Sequence, residues 1–151
     1  MVLTIRSMKE EDIRILQEMI YEVFDVDYKD YPKKLVEVQK RRYTTQELLL
    51  KMKKYDCWVG EIGDELIGMI SLDGDVIKNH FVSLKHRGKG YGRELLDFVE
   101  QKAKERNLSS LVIYSAPHLV SYYEKFSFRK MKKCFLEVRG TVIKRFLWKN
   151  S

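Results

Sequence analysis

His80-Phe81-Val82-Ser83-Leu84-Lys85-His86-Arg87-Gly88-Lys89-Gly90-Tyr91-Gly92-Arg93 passes from an apolar stretch through a basic, glycine-rich loop toward a new amphipathic run. Upstream, Val76 to Val82 reads as a strand; downstream, Leu95, Leu96, Phe98, Val99 and Ala103 recur at helical spacing. Glycines at 88, 90 and 92 allow backbone conformations closed to other residues and let a ligand approach closely. Amides pointing outward where the helix starts meet the positive end of its dipole, which makes an anion site well suited to pyrophosphate. Arg87, Lys89 and Arg93 add full charges in the same place. The loop lacks the G-x-x-x-x-G-K-[ST] of a Walker nucleotide loop, and its G-x-G-x-G differs from the dinucleotide fingerprint. By glycine spacing alone it is either a phosphate cradle or a plain glycine-rich connection.

Working outward, strands and helices alternate. Val2 to Ser7 reads as a strand, with Ser7 placed to cap a helix carrying Ile13, Leu16, Met19, Ile20 and Val23. A looser segment, Asp25 to Pro32, leads to a second helical region in which Thr45 can cap Gln46 to Lys54. Cys57 to Ile62 and Glu65 to Leu72 read as strands joined at Gly63-Asp64, and Asp73-Gly74 turns the chain into Val76 to Val82. After the central helix, which Asn107 can end, come a short strand at Leu111 to Tyr114 and a helical segment from Pro117 through Phe126. Phe128 to Val138 and Thr141 to Trp148 read as two last strands turning at Arg139-Gly140. The expected fold class is α/β, in one domain over residues 1–151.

Composition narrows the function classes. Of 151 residues, 44% are hydrophobic and 34% charged, as in a globular chain able to bury a core. No apolar run approaches the ~20 residues of a membrane span, and the first residues lack a signal-peptide pattern, so the expected location is cytoplasmic with no membrane partner. Cys57 and Cys134 stand far apart and match no metal-ligand spacing, so no metal is expected and both thiols read as reduced. The net charge of +7 is spread over short clusters such as Lys40-Arg41-Arg42, which argues against a nucleic-acid partner. Thr141 to Trp148 alternates well enough to pair with another copy, leaving monomer and homodimer both open.

With R-x-x-G-x-G spelled by Arg87 to Gly92 inside HFVSLKHRGKGYGRELLDFVEQKAKERN, the chain resembles the GNAT superfamily of N-acetyltransferases. YSAPHLVSYYEKFSF downstream is similar to a later segment of that family, where a helix ends in an aromatic-Tyr pair followed by Gly-Phe. The resemblance implies a mixed, mostly antiparallel sheet of about seven strands flanked by about four helices. It implies acetyl-CoA as co-substrate, with backbone groups of His80, Phe81 and Val82 holding the acetyl carbonyl and pantetheine arm. Amides from Gly88 through Arg93, that is Gly88, Lys89, Gly90, Tyr91, Gly92 and Arg93, would cradle the pyrophosphate, with Arg87 opening the motif. Tyr123 falls on the family's tyrosine near the cofactor sulfur, where a phenol with a pKa near 10 can protonate the departing thiolate. Two positions depart from the pattern: Ala116 replaces a frequent asparagine, and Ser127 replaces the glycine before Phe128.

The implied reaction is acetyl transfer to a primary amine of a small molecule or protein by direct attack on the thioester. A lysine-like amine is neutral in only about one molecule in 2,500 at pH 7, so a base or water chain is expected. Val76 to Asn79 carries no carboxylate; His80 has a suitable pKa, with His118 and Asp75 as weaker candidates. Asp25, Asp27, Asp30, Tyr28 and Tyr31 lie where such proteins commonly bind the acceptor, and they point either to a cationic amine or to a solvated loop. A non-catalytic acyl-CoA-binding module is the alternative function.

Overall fold

The computed structural model describes residues 2–130 and 140–145. Among the described residues seven strands form one sheet in the order β1-β2-β3-β4-β5-β7-β6. They are β1 Thr4–Ser7, β2 Asp56–Ile62, β3 Glu65–Asp73, β4 Val76–Val82, β5 Ser110–Ser115, β6 Arg129–Lys130 and β7 Gly140–Arg145. Every pairing is antiparallel except β4 with β5. The helices are α1 Ile13–Asp27, α2 Lys33–Arg41, α3 Thr45–Lys54, α4 Tyr91–Glu105 and α5 Val120–Glu124.

Alternating side chains of the sheet feed two cores. Trp58, Ile70 and Leu72 face α4 and α5, where Leu95, Leu96, Val99, Tyr123 and Phe128 are buried. Cys57, Val59 and Met69 face the other way, onto Leu16, Ile20 and Phe24 of α1 and Leu48 of α3. The period of two in the strands and of 3.6 in the helices thus sets a three-layer arrangement, each fully buried Leu or Ile contributing about 1.5–3 kcal/mol.

Strand β4 is where the sheet opens. It pairs with β5 only at Val76–Val112 and Ile77–Ile113 among the described residues. Its register with β3 shifts between Met69 and Ser71, opposite Asn79. Asn79 takes a left-handed φ of 56°, which asparagine tolerates better than most side chains, and its amide donates to Ser71 Oγ at 3.1 Å. Ser71 Oγ in turn donates to the buried Cys57 Sγ at 3.1 Å. This bulge carries β4 away from β5 and leaves the facing edge of residues 78–82 open to a cleft.

Several local expectations change. The second helical region is two helices, so five rather than four flank the sheet, and Thr44, not Thr45, is the cap, accepting from the Glu47 amide at 3.2 Å. Ser7 stays in β1, paired with Trp58; Asp12 organises the entry to α1 instead, accepting from the Lys9 amide at 2.8 Å and from Arg6 at 2.9 Å through both oxygens. Burial pushes the Asp12 carboxyl up, but these hydrogen bonds outweigh it and hold the pKa below the ordinary value. The two-residue turn after β3 is Gly74-Asp75, and β7 lies between β5 and β6, so Gly140–Arg145 is not an edge open to a second copy. The remainder of the expected last two strands, like Cys134, lies outside the described residues.

Candidate active site

Two cavities meet where β4 and β5 part. One, of about 450 Å³, is bordered by Val82, the loop Arg87 to Gly90 and the start of α4; the other, of about 730 Å³, opens toward α1, α2 and α3. His80, Phe81 and Tyr123 line both.

On the first side the chain displays a row of amides. Arg87 N–H bonds Leu84 O and Glu94 N–H bonds Gly90 O, but between them the six amides of Gly88, Lys89, Gly90, Tyr91, Gly92 and Arg93 have no partner among the described residues. Positive φ at Gly88 (75°) and Gly90 (85°) turns the backbone so that these groups face outward, and the space a Cβ would take at either glycine is empty. The charges are disposed differently from expectation. Arg87 is committed to Asp27 at the end of α1 by two hydrogen bonds of 2.6 Å, which raise its pKa further. Arg93 lies 5.7 Å from the centre of the Phe126 ring and 3.9 Å from Asp97, and Lys89 is exposed.

At the junction, His80 Nε2 is 2.9 Å from Gly92 O and Nδ1 is 3.0 Å from Tyr123 Oη. A carbonyl only accepts, so Nε2 carries the proton, and the Nδ1 lone pair accepts from the tyrosine hydroxyl. Burial lowers the His80 pKa to about 4, with only the Gly92 carbonyl pulling the other way, so the ring is neutral at physiological pH. Tyr123 is 4% exposed, and burial raises its phenol well above the usual value, reinforced by neighbouring tyrosines. Tyr122 is half-buried, packs on Phe126 at 5.0 Å between ring centres, and sets its hydroxyl over Gly92.

The larger cavity holds an aromatic shelf: Phe24, Tyr43 and Phe81 pack pairwise at 5.2–5.6 Å, and Tyr31 Oη lies 3.0 Å from His118 Nδ1. The acids expected at the acceptor are elsewhere. Asp25 pairs with Lys40 at 2.6 Å, Asp27 borders the smaller cavity paired with Arg87, and Asp30 is exposed. Asp75 is exposed and borders neither cavity.

The family model described as an acetyltransferase (GNAT) domain matches residues 26–142. The chain belongs to the GNAT acetyltransferases. No curated protein matches the sequence. Among solved structures, this GNAT chain is similar to the PaiA N-acetyltransferase of Thermoplasma acidophilum in complex with coenzyme A (TM-score 0.84, 19% identity, 97% of this chain and 100% of that one). It is also similar to a GCN5-related N-acetyltransferase of Rhodopseudomonas palustris (TM-score 0.85, 16% identity, 97% and 99%). A third likeness is to N-acetylglutamate synthase of Neisseria gonorrhoeae with coenzyme A and N-acetylglutamate (TM-score 0.73, 16% identity, 96% of this chain and 35% of that one).

In this GNAT enzyme the residues singled out by sequence, His80 to Val82, Arg87 to Arg93 and Tyr123, all border the two cavities except Lys89. Sequence reading missed Arg42, Lys51 and Lys78, which line the larger cavity from three different elements and share no motif. Among the described residues no helix is long and apolar enough to cross a membrane, and no cluster of three or more His, Cys, Asp or Glu could hold a metal ion.

Proposed function

We propose that the protein transfers an acetyl group from acetyl-CoA to a primary amine, with Tyr123 as the catalytic acid. The observation that carries this reading is the row of six unpartnered amides, Gly88 to Arg93, beside a strand edge left open by the Asn79 bulge. A pyrophosphate needs outward amides with room above them, and both are present. The open edge of His80, Phe81 and Val82 offers strand-like hydrogen bonds for an extended pantetheine arm and an acetyl carbonyl. Acetyl-CoA would supply an acetyl thioester already activated for attack.

Tyr123 lines both cavities, so a thioester in one and an amine in the other would meet beside its hydroxyl. Its hydroxyl donates to His80 Nδ1 at rest and would turn to donate toward sulfur as the C–S bond breaks. The N–C bond forms as the C–S bond breaks, and the proton lost from nitrogen replaces the one Tyr123 gives to the thiolate. His80 orients the hydroxyl; its one lone pair is occupied by Tyr123, which argues against its serving directly as the amine's base.

Thermal unfolding with and without acetyl-CoA, with ATP and NAD as controls, tests the reading. At a hundred times its dissociation constant acetyl-CoA should stabilise the fold by about 2.7 kcal/mol. Free thiol should then appear in the presence of an accepted amine. Equal shifts with ATP, or none with acetyl-CoA, would count against it.

A further inference from the structure

Among the described residues the larger cavity is lined by three cations, Arg42, Lys51 and Lys78, and by no carboxylate. Lys51 Nζ donates to the Arg42 carbonyl at 2.6 Å and sits 4.9 Å from the centre of the Tyr43 ring. One helical turn on, Tyr55 bonds the Lys51 carbonyl through its amide, and Lys78 Nζ lies 4.4 Å from the centre of the Tyr55 ring while donating to its hydroxyl at 3.1 Å. Lys51, Tyr55 and Lys78 therefore make one continuous wall. Lys78 is offset by Asp73 at 3.1 Å, but neither Arg42 nor Lys51 is in a salt bridge among the described residues. Burial lowers the Lys51 pKa; Glu47 and Tyr55 pull it back, and the charge of Arg42 adds to the lowering. Two cations bordering one cavity, with no carboxylate on its wall among the described residues, are arranged to receive an anion.

We infer that the acceptor is a small amine that also bears a carboxylate, its anionic end bound by Arg42 and Lys51 and its amine directed to Tyr123. Lys51 retains two N–H donors beyond the one given to the Arg42 carbonyl, Arg42 borders the same cavity, and a guanidinium is a fork suited to two carboxylate oxygens. A diamine or polyamine entering the same cavity would set its second charge against this wall, which selects against it. The wall also favours the neutral, nucleophilic form of an ammonium bound near it, and so serves the deprotonation for which the described residues of the cavity provide no carboxylate base. The acidic stretch near the end of α1, which by sequence pointed either to a cationic acceptor or to a solvated loop, spends Asp25 and Asp27 on Lys40 and Arg87.

This inference rests on the acetyl-CoA reading above. The test compares free thiol release from acetyl-CoA with L-amino acids, their α-amides and unbranched diamines as acceptors. Each acid and its amide share a shape and differ in one charge. The expected result is a kcat/KM at least tenfold higher for the best acid than for its amide, with diamines poorer still. In Arg42→Gln, and independently in Lys51→Met, that acid-to-amide ratio should fall toward one, while stabilisation by acetyl-CoA shows the protein folded and loaded. Amides or diamines matching the acids, or no acid accepted by protein that acetyl-CoA does stabilise, overturns the inference. Absence of stabilisation by acetyl-CoA strikes instead at the acyl-transfer reading, and this inference falls with it.

Discussion

His80 and Tyr123 share one hydrogen bond, and the proton in it belongs to the tyrosine because Gly92 O fixes the histidine tautomer. The pH behaviour follows from that arrangement. In the unfolded chain His80 takes a proton near pH 6.5, whereas the folded ring resists protonation down to about 4. Between those values the unfolded state binds more protons, so stability is full above about pH 6.5 and declines as pH falls toward 4. His80→Asn should flatten that decline, by an amount on the order of 1–3 kcal/mol given the ring's partial exposure, in melting curves taken from pH 4 to 7. A decline of equal depth in the variant would show that another group carries it. If Tyr123 is the proton donor, Tyr123→Phe should lower kcat by about 10²- to 10⁴-fold and leave acetyl-CoA stabilisation in place. A loss confined to acetyl-CoA binding would make the tyrosine a packing residue. Both residues were legible in the sequence only separately: Tyr123 by the family resemblance and its register with Phe128, His80 by the same resemblance and by the ordinary pKa of an imidazole. Their contact spans 43 positions and depends on the Asn79 bulge, which no local pattern announces.

At the scale of elements, the loop ahead of α4 separates two roles of glycine. Gly90 caps the helix at φ 85°, with open space where a side chain would begin. Gly90→Ala therefore meets no atom but places a side chain in a left-handed conformation, costing about 1–2 kcal/mol. Relief of that strain turns the neighbouring amides, so the melting temperature should fall and acetyl-CoA should bind more weakly; a lower melting temperature with unchanged affinity would detach the loop from cofactor binding. Gly92 is different, since a Cβ there would run into the Tyr122 hydroxyl and lie 3.7 Å from His80 Nε2. The central strand–loop–helix was legible because glycine spacing and a clean 3.6-residue period coincide in it. Less legible was Lys33 to Arg42, a charged run whose apolar residues are few: Leu35 and Val38 are exposed and only Val36 packs against the core. Thr44 and Thr45 offer the same side chain for a cap; the extended backbone of Thr44 makes the choice, and backbone angles follow from how α3 docks on the sheet. Ser7, a sound cap on local chemistry, is claimed by pairing with Trp58.

Across the whole molecule, the Asp27–Arg87 pair joins parts far apart in sequence, the last turn of α1 and the first residue of the R-x-x-G-x-G loop. The same turn of α1 carries Phe24, and Tyr28 follows as its end residue; both line the two cavities. One bidentate contact thus ties the end of α1, which lines both cavities, to the amide row across the opening of the sheet. Arg87 is half-exposed, so the pair counts for little as a stabiliser, and its consequence lies in geometry. Asp27→Asn keeps the shape and one oxygen acceptor but removes the charge; Arg87→Gln breaks the same contact from the other side. If the pair acts by holding α1 against the loop, either change should raise the KM for acetyl-CoA and for the amine together, severalfold each. The double variant should then be little worse than either single one, because both remove a single contact. Additive losses would mean that Arg87 and Asp27 act separately, Arg87 on the pyrophosphate and Asp27 on the shape of α1. A rise in the acetyl-CoA KM alone, seen only in Arg87→Gln, would return Arg87 to the direct phosphate role that its place in the motif suggests.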